Sequence, residues 1–338
     1  MAIVDLTRLI RCGLPVLLVA LSWPPSAYAG TAIRFTLDRG IDGPAAPFFL
    51  AVEKGYFKNE GLDVTIDAAS GAPLEPLTRL ATGGYDMGVA DINMLIKYRD
   101  TNSSPIKASF IVFDKPPYAI IARRSRAIAA PKDLEGKKLG APPVDGAFAQ
   151  WPIFAKVNGI DAAKITIENI GPRVGEPMLA AGEVDALIGC SFASYVDLKE
   201  SGVPPDDLAV LLMADYGVEL YGDAIAVAPG FAAEKPHAVQ GFLRAYVKAL
   251  KDTVRDPVRA VEAVLRRNSA AVKEAELERL RMAIRDDILT PAVKANGYGG
   301  IEPVRFAAAI EQIALTYKFK AKDKAADAFD PTFLPAER

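Results

Sequence analysis

Histidine and cysteine are scarce in this sequence of 338 residues, which contains one histidine and two cysteines. The histidine is His237, and the cysteines are Cys12 and Cys190. Most nucleophilic triads and most transition-metal sites need several of these side chains. Neither kind of site can be built from its usual parts, so we expect no metal and no cofactor. A disulfide within the chain would need both cysteines, and only Cys190 lies beyond the N-terminal segment described below.

An excess of charge of either sign is also missing. The chain has 40 lysines and arginines against 42 aspartates and glutamates, for a formal net charge of −2. A nucleic-acid-binding surface needs a basic excess, so we expect no nucleic-acid partner. Beyond the N-terminal segment, no apolar run approaches the roughly 20 residues that cross a bilayer.

The first 29 residues follow the pattern of a secretory signal peptide. Arg8 and Arg11 supply a positive end, residues 13–23 are apolar, and residues 27–29 (AYA) form a small-x-small cleavage site. An uncleaved membrane anchor is the alternative. The pattern predicts export, so we expect a periplasmic protein whose mature chain begins at Gly30.

A strand, a helix and a second strand open the remaining chain. Apolar side chains at every second position predict strands over residues 33–37 and 62–66. The apolar stripe between them predicts a helix over residues 45–54 that ends at Gly55. Such units build open α/β sheets, whose ligands bind beyond the carboxyl ends of the strands. Residues 38–48 are therefore predicted to border a binding crevice.

A second series of strands and helices runs from Pro131 to about residue 213, and the pattern is helical after residue 236. Two similar units, one inserted into the other, predict two lobes around a cleft. We place residues 30–123 and 222–338 in lobe 1 and residues 124–221 in lobe 2. The predicted fold class is α/β, with a mostly parallel sheet flanked by helices in each lobe.

Four stretches of the sequence resemble one family of transport proteins. They are residues 46–64 (APFFLAVEKGYFKNEGLDV), 80–96, 131–144 and 178–189. In that order they are similar to the solute-binding proteins of ABC importers, in the NMT1/THI5-like branch that contains aliphatic-sulfonate, nitrate and thiamine-pyrimidine binders. The resemblance implies a type II periplasmic-binding-protein fold, hinge closure on a small-molecule ligand, and an inner-membrane ABC permease as partner. We expect a monomer.

Arg39 is the main polar candidate for ligand binding. It directly follows the first strand, and its planar guanidinium can hold a carboxylate or sulfonate through two hydrogen bonds. The resemblance adds that pyrimidine binders have an aromatic side chain in this register and a histidine six residues later, where this chain has Arg39 and Ala45. Helices predicted to start near Ala45 and after Asp145 would also present free N–H groups to an anion. We therefore expect an anionic organic solute, with a solvated surface role as the alternative for Arg39.

Further polar candidates follow strand ends or open helices. Asp91 is predicted to cap the helix that begins at Ile92, and Asn93 can donate and accept hydrogen bonds. Turn formation, helix capping or, for the thiol, simple burial are the alternative roles. The other polar or backbone candidates are Asp42, Ser70, Gly71, Asp145, Gly146, Glu176, Cys190 and Ser191.

Apolar and aromatic candidates would form the wall of the pocket, since small-molecule sites are mostly apolar with a few fixed polar groups. Packing in the core is the alternative for each of them. Trp151 is of particular interest because its fluorescence would report closure. The candidates are Ala45, Pro47, Phe48, Ile92, Tyr118, Phe148, Trp151 and Phe192.

Three functions fit these observations. The first is capture of a carboxylate or sulfonate for an ABC importer; a thiamine-pyrimidine precursor is the alternative solute. The second is an enzyme that makes the thiamine pyrimidine, which the resemblance implies for fungal and plant relatives. Those enzymes use a histidine and a cysteine cluster, whereas residues 189–193 contain one cysteine. The third is a sensor subunit with the same pocket and another membrane partner. We predict a binding protein and no catalytic residue.

Overall fold

The structure is a computed structural model that describes residues 30–143, 145–171, 174–320 and 325–338. The predicted signal peptide, residues 1–29, lies outside the described residues. Strands and helices alternate up to residue 227, and the rest of the described chain is largely helical.

Ten strands form two sheets. Their bounds are β1 Thr31–Thr36, β2 Leu62–Asp67, β3 Met87–Asp91, β4 Lys107–Ile111, β5 Tyr118–Arg123, β6 Lys138–Ala141, β7 Thr166–Asn169, β8 Ala186–Cys190, β9 Leu208–Leu212 and β10 Asp223–Val227.

Thirteen α-helices are found in the described residues, besides several short 3-10 helices. They are α1 Ala46–Glu53, α2 Tyr56–Asn59, α3 Glu75–Ala81, α4 Ile92–Asn102, α5 Gly146–Val157, α6 Gly175–Ala181, α7 Ser191–Glu200, α8 Pro229–Glu234, α9 Pro236–Arg255, α10 Pro257–Leu265, α11 Lys273–Ala283, α12 Pro291–Asn296 and α13 Pro303–Tyr317. A π-helical turn, Ile284–Ile288, continues α11.

The two sheets have the same topology. The first has the strand order β2-β1-β3-β10-β4, in which β10 runs antiparallel to both of its neighbours. The second has the order β7-β6-β8-β5-β9, in which β5 is the antiparallel strand. Four strands of each sheet therefore point in one direction. The prediction of an α/β protein with two lobes and mostly parallel sheets is confirmed.

The chain crosses between the lobes twice, through residues 112–117 and 213–222. The two crossing segments lie side by side, because the Phe113 N–H donates to the Asp223 carbonyl and the Gly222 N–H to the Phe113 carbonyl, both at 3.0 Å. The placement of residues 118–123 in lobe 1 is wrong, since β5 pairs with β8 and β9 of the second sheet. β4 and β5 are both short apolar runs, and pairing partners far away in sequence decide which sheet each one joins.

The assignment of residues 222–338 to lobe 1 also needs a correction. Helix α9 does pack on α1 of the first lobe, but α13 packs on α5 of the second. Ala309 and Ile313 of α13 are buried in the core of the second lobe. The Thr316 hydroxyl donates to the Ala149 carbonyl at 2.6 Å. The C-terminal segment therefore covers the first lobe and reaches the second.

Aromatic packing fixes the end of β1 at the cleft. Phe35 of β1 lies against Phe48 of α1 and Phe242 of α9, with ring centroids 4.9 and 5.0 Å away. All three side chains are almost completely buried. Burial of each contributes roughly 1.5–3 kcal/mol. This cluster fixes the end of β1 and therefore the start of the segment that carries Arg39.

No helix in the part of the chain that the structure describes is both long enough and apolar enough to cross a bilayer.

Candidate functional site

Two cavities that share lining residues lie between the lobes, and together we call them the cleft. Cavity A measures about 650 Å³ and lies at the carboxyl ends of β6, β7 and β8, facing the loop after β2. Its walls are mainly apolar. They are formed by Ser70, Gly71, Ala72, Pro73, Pro142, Pro143, Asp145, Ile170, Gly171, Gly175, Glu176, Leu187, Ile188, Gly189, Cys190, Ala193 and Ser194.

Cavity B measures about 930 Å³ and lies between α3 and α4 of the first lobe and α5 and α13. Its apolar wall includes Met94, Tyr98, Phe148 and Tyr317. The two cavities share Ala72, Pro73, Pro143 and Asp145. Both volumes are in the range of sites that enclose small organic molecules.

One aspartate from each lobe lies near the hydroxyl groups of Tyr118 and Tyr317, and of the two only Asp145 lines the cavities. Asp91 ends β3 in the first lobe, and Asp145 precedes α5 in the second. The hydroxyl groups of Tyr118 and Tyr317 each interact electrostatically with both carboxylates. A side chain on Gly146 would clash with Tyr118, because a Cβ there would lie 2.8 Å from the tyrosine oxygen. The glycine therefore lets Tyr118 reach the start of α5.

Each of these aspartates caps a helix. Asp91 Oδ1 accepts hydrogen bonds from the Asn93 and Met94 N–H groups at 2.7 and 2.9 Å, as the sequence predicts. Asp145 Oδ1 accepts one from the Ala147 N–H at 2.9 Å. Of the two helix starts that the sequence analysis expected to attract an anion, the one after Asp145 already holds a carboxylate. The other, near Ala45, has no side-chain cap and borders the small cavity around Arg39.

Arg39 is likewise paired within the chain. Its Nε lies 2.6 Å from Asp38 Oδ2, and its Nη2 lies 2.9 Å from Asp223 Oδ2. The guanidinium is also stacked 5.7 Å from the centroid of the Phe192 ring and donates to Cys190 Sγ at 3.9 Å. These contacts connect the two lobes. They also occupy the guanidinium of Arg39, so it does not offer an anionic solute the pair of parallel hydrogen bonds that the sequence analysis expected. The preference for a carboxylate or sulfonate loses its main support.

The space around Arg39 is too small for an organic solute. The cavity there measures about 20 Å³ and is lined by Leu37, Asp38, Arg39, Gly40, Asp42, Pro44, Ala45, Phe48, Val89, Val112, Phe113 and Asp223. It holds the predicted residues Asp42, Ala45 and Phe48. We treat it as part of the contact between the lobes.

Burial perturbs the carboxylates of this region. It raises the pKa of Asp42 to about 7 and that of Asp91 to about 6, although Arg39 opposes the first shift and backbone hydrogen bonds oppose the second. The pKa values of Asp145 and Asp223 are raised for the same reason. Burial therefore favours the protonated, uncharged forms of these carboxyl groups.

The thiol of Cys190 is not a nucleophile. Burial raises its pKa to about 12, and the nearby Arg39 only partly offsets this. A reactive cysteine needs the opposite shift. His237 is exposed near the start of α9 and lines neither cavity A nor cavity B.

The structure brings together part of the predicted site. Ser70, Gly71, Glu176 and Cys190 line cavity A, Phe148 lines cavity B, and Asp145 lines both. Glu176 Oε1 accepts a hydrogen bond from the Ser194 hydroxyl at 2.6 Å.

Other predicted residues have structural positions instead. Ile92, Trp151 and Phe192 are at most 5% exposed and belong to the hydrophobic cores. Pro47 is buried in α1. These four residues line neither cavity of the cleft, so we no longer assign them to ligand contact.

Two more predicted residues, Asn93 and Ser191, are also engaged elsewhere. The Asn93 side-chain amide donates to the Tyr221 carbonyl at 2.8 Å, so it fixes the second crossing segment. Ser191 lines a separate cavity between α7 and α11.

Asp223 and Asp287 were missed by the sequence analysis. Asp223 opens β10 directly opposite Asp91 and is 4% exposed. Asp287 lies in the π-helical turn, is fully buried, and neither of its carboxylate oxygens accepts a hydrogen bond from a described residue. It interacts electrostatically with Asp223. The sequence predicts that the chain returns to the first lobe near residue 222, and this is its one indication that Asp223 lies near the crossing between the lobes. No local pattern identifies Asp287.

Within the described ranges, no group of three or more histidine, cysteine, aspartate or glutamate side chains is arranged to hold a metal ion.

Comparison with known proteins gives relatives of two kinds. The riboflavin-binding protein RibY of Chloroflexus aurantiacus is 27% identical over 222 residues, which cover 64% of this chain and 61% of that protein. A formylaminopyrimidine-binding protein of Halalkalibacterium halodurans is 24% identical over 242 residues, covering 70% and 72%. A 4-amino-5-hydroxymethyl-2-methylpyrimidine phosphate synthase of Aspergillus parasiticus is 28% identical over 228 residues, covering 64% and 65%. The chain thus spans less than two thirds of RibY and of the synthase.

Solved structures share the fold. The periplasmic aliphatic sulphonate binding protein SsuA from Escherichia coli superposes with a TM-score of 0.70 at 16% identity, covering 91% of this chain and 94% of that one. The alkanesulfonate-binding protein SsuA from Xanthomonas axonopodis pv. citri, bound to MOPS, gives a TM-score of 0.66 at 16% identity, covering 89% and 98%. The profile of one family, described as NMT1/THI5 like, matches residues 44–260. Because this match covers more than half of the chain, the protein belongs to the NMT1/THI5 like family.

Proposed function

We propose that this protein is the solute-binding component of an ABC importer, exported to the periplasm, where it encloses a small organic solute between its lobes and delivers it to the permease. The observation that carries the proposal is the position of the cleft. Cavities of about 650 and 930 Å³ lie between two sheets, at strand ends and helix starts from both lobes. Two adjacent crossing segments supply the hinge on which such lobes close.

Binding is favoured over catalysis by the chemistry of the cleft. The alternative, synthesis of the thiamine pyrimidine, is suggested by the name of the Aspergillus relative. That reading needs a reactive cysteine or histidine, whereas the Cys190 thiol has a pKa of about 12 and His237 lies outside the cleft. The acidic side chains that line cavity A, Asp145 and Glu176, can bind and orient a solute without forming a covalent bond to it.

Solute retention tests this function directly. The purified chain is unfolded, refolded to release bound molecules, and incubated with a small-molecule extract. Mass spectrometry of the washed complex identifies any retained compound, and small-angle scattering measures the radius of gyration. We expect one compound at about one per chain, a smaller radius of gyration, and, at 100 times the dissociation constant, about 2.7 kcal/mol of added stability.

A pair of tryptophan variants provides the control. Gly171 lines cavity A, and a Cβ added there meets no described atom within 4 Å, so Gly171→Trp is expected to place its ring in the cavity. Gly230 in α8 has equally open surroundings outside the cleft. Gly171→Trp should lose the retained compound, and Gly230→Trp should keep it. Chemical turnover of the compound, or no compound and no change in radius, would contradict the proposal.

A further inference from the structure

Helix α7 of the second lobe contacts both the cleft and helix α11. Its residues Ala193 and Ser194 line cavity A. One and two turns further along α7, Asp197 and Glu200 approach the guanidinium of Arg279 in α11, at 2.5 and 3.6 Å. Residues spaced by four and then three positions lie on one face of a helix. The face of α7 that forms a wall of the cleft is therefore also the face that α11 holds.

Arg279 itself is fixed in the first lobe. Its side chain is 13% exposed, and its Nη1 lies 2.5 Å from Glu276 Oε1. The other oxygen of this carboxylate, Glu276 Oε2, accepts a hydrogen bond from the Gly43 N–H at 2.6 Å. Helix α11 also packs against α10 and against the segment before α1. The guanidinium therefore keeps its place in the first lobe, and the carboxylates of α7 are the mobile partners.

The contact between α7 and α11 is not a close-packed core. Phe192 and Val196 of α7 are buried in the same cluster as Leu280 of α11. Beside this cluster, however, a cavity of about 700 Å³ lies between the two helices. A second ion pair, Lys199 with Glu278 at 2.6 Å, is partly exposed on both sides. Protein cores contain few voids larger than a water molecule, so this is an interface that can separate and form again.

We propose that Arg279 is the positioning residue of a latch between the lobes, which holds Asp197 and Glu200 and so draws α7 toward the first lobe and narrows cavity A. This inference rests on the proposed function and assigns part of the free energy of closure to the chain itself. Neither Arg279 nor its two partners in α7 line cavity A or cavity B, so the latch acts without touching the solute. It raises the fraction of molecules that are already closed, and the apparent dissociation constant is the intrinsic one divided by that fraction.

Charge reversal on α7 tests the latch and leaves the first lobe unchanged. Asp197→Lys combined with Glu200→Lys places two ammonium groups opposite Arg279. Both side chains are about half exposed, so neither substitution buries a new charge. The matched control is Glu183→Lys combined with Asp206→Lys, which changes the net charge of the second lobe by the same amount at two exposed positions.

The separation of the lobes in the solute-free chain is the first readout. Each protein is unfolded, refolded to release bound molecules, and measured by small-angle scattering. The charge-reversal variant should have a larger radius of gyration than the wild type and the control variant. The wild type should itself expand between about 50 mM and about 1 M salt, because the Debye length falls to about 3 Å. The neutral variant, Asp197→Asn with Glu200→Gln, should expand less and in the same direction.

Retention of a compound from the small-molecule extract is the second readout. Reversal of exposed ion pairs should weaken its apparent affinity by about threefold to tenfold, while the control variant retains it as the wild type does. A role in stability alone would lower the midpoint of chemical denaturation without changing the radius of gyration of the folded protein.

The two readouts separate the latch from the proposed function. An unchanged or smaller radius of gyration in the charge-reversal variant, or an equal expansion of the control variant, would overturn the latch. If the wild type still retains a compound in that case, the proposed function stands alone. If the charge-reversal variant expands but the wild type retains no compound, the latch between the lobes is supported and the proposed function fails.

Discussion

At the scale of single residues, Arg39 is a structural ion pair. Asp223 is its partner and its side chain is 5% exposed, so Arg39→Ala would leave a buried carboxylate without a counter-ion. Removing one partner of a fully buried pair costs about 3–5 kcal/mol. Because the Arg39 side chain is 28% exposed, we expect a smaller loss, about 2–4 kcal/mol in the free energy of unfolding, measured by chemical denaturation.

A double variant separates this explanation from general damage to the cleft. Asp223→Asn removes the carboxylate that Arg39→Ala leaves without a counter-ion. The double variant, Arg39→Ala with Asp223→Asn, should therefore be more stable than Arg39→Ala alone. Arg259→Ala, at an exposed position of α10, should change the stability by less than about 0.5 kcal/mol. If the double variant shows the sum of the two single losses, Arg39 and Asp223 are not coupled.

Arg39 also shows what the sequence could not predict. Its position after β1 is a local property, and the pattern of residues 33–37 identifies it correctly. Its partner Asp223 is 184 residues away, so nothing near Arg39 reveals that the guanidinium is occupied. Asp91 could be identified as a cap because capping involves only the next three residues. Trp151 is predicted as a ligand contact with core packing as the alternative, and it lies in the core; an aromatic side chain in α5 can face either the core or the cleft.

At the scale of elements, the close approach of α11 to the segment before α1 depends on Gly43. The Gly43 N–H donates to Glu276 Oε2 at 2.6 Å, and a Cβ on Gly43 would lie 2.0 Å from the Glu276 carbonyl oxygen. Backbone atoms cannot yield as a flexible side chain can, so Gly43→Ala must displace α11. Overpacking of this kind costs about 1–3 kcal/mol, which urea denaturation would measure.

Gly40 provides the matched control three residues earlier. It is exposed, and an added Cβ meets no atom within 4 Å, so Gly40→Ala should be close to neutral. Helix α11 also contacts α7 of the second lobe through the pair Lys199–Glu278 at 2.6 Å. Displacement of α11 should therefore loosen the contact between the lobes and increase the radius of gyration in scattering. Equal stability of the two alanine variants would show that α11 is not held by this contact.

The elements themselves were largely predictable, but their assembly was not. Period-2 alternation and helix-stop glycines identify β1, α1 and β2, and Gly55 has the left-handed backbone, with φ +66°, that its position requires. The lobe to which β5 belongs depends on pairing with β8 and β9, which lie more than 60 residues further along the chain. The same limit applies to α13, whose apolar stripe does not specify which lobe it covers.

At the scale of the whole molecule, the buried carboxylates set the dependence of stability on pH. The folded protein holds a proton on Asp91 up to about pH 6 and on Asp42 up to about pH 7, whereas the unfolded chain releases both near pH 4. Between these values the folded state binds more protons, so its free energy of unfolding falls as the pH rises. Glu135 acts in the opposite direction, because hydrogen bonds from the Asp161 N–H, Lys132 and Lys164 lower its pKa to about 2 and its contribution is lost on acidification.

These opposing shifts predict a maximum of stability near about pH 5 and a decline toward pH 7, which denaturation at a series of pH values would measure. Asp91→Asn should flatten the decline between about pH 4 and pH 6, and Asp42→Asn should flatten it up to about pH 7. Stability that rises steadily from pH 5 to pH 8 would contradict this prediction, because it would mean that the chain itself compensates the buried charges of Asp42 and Asp91.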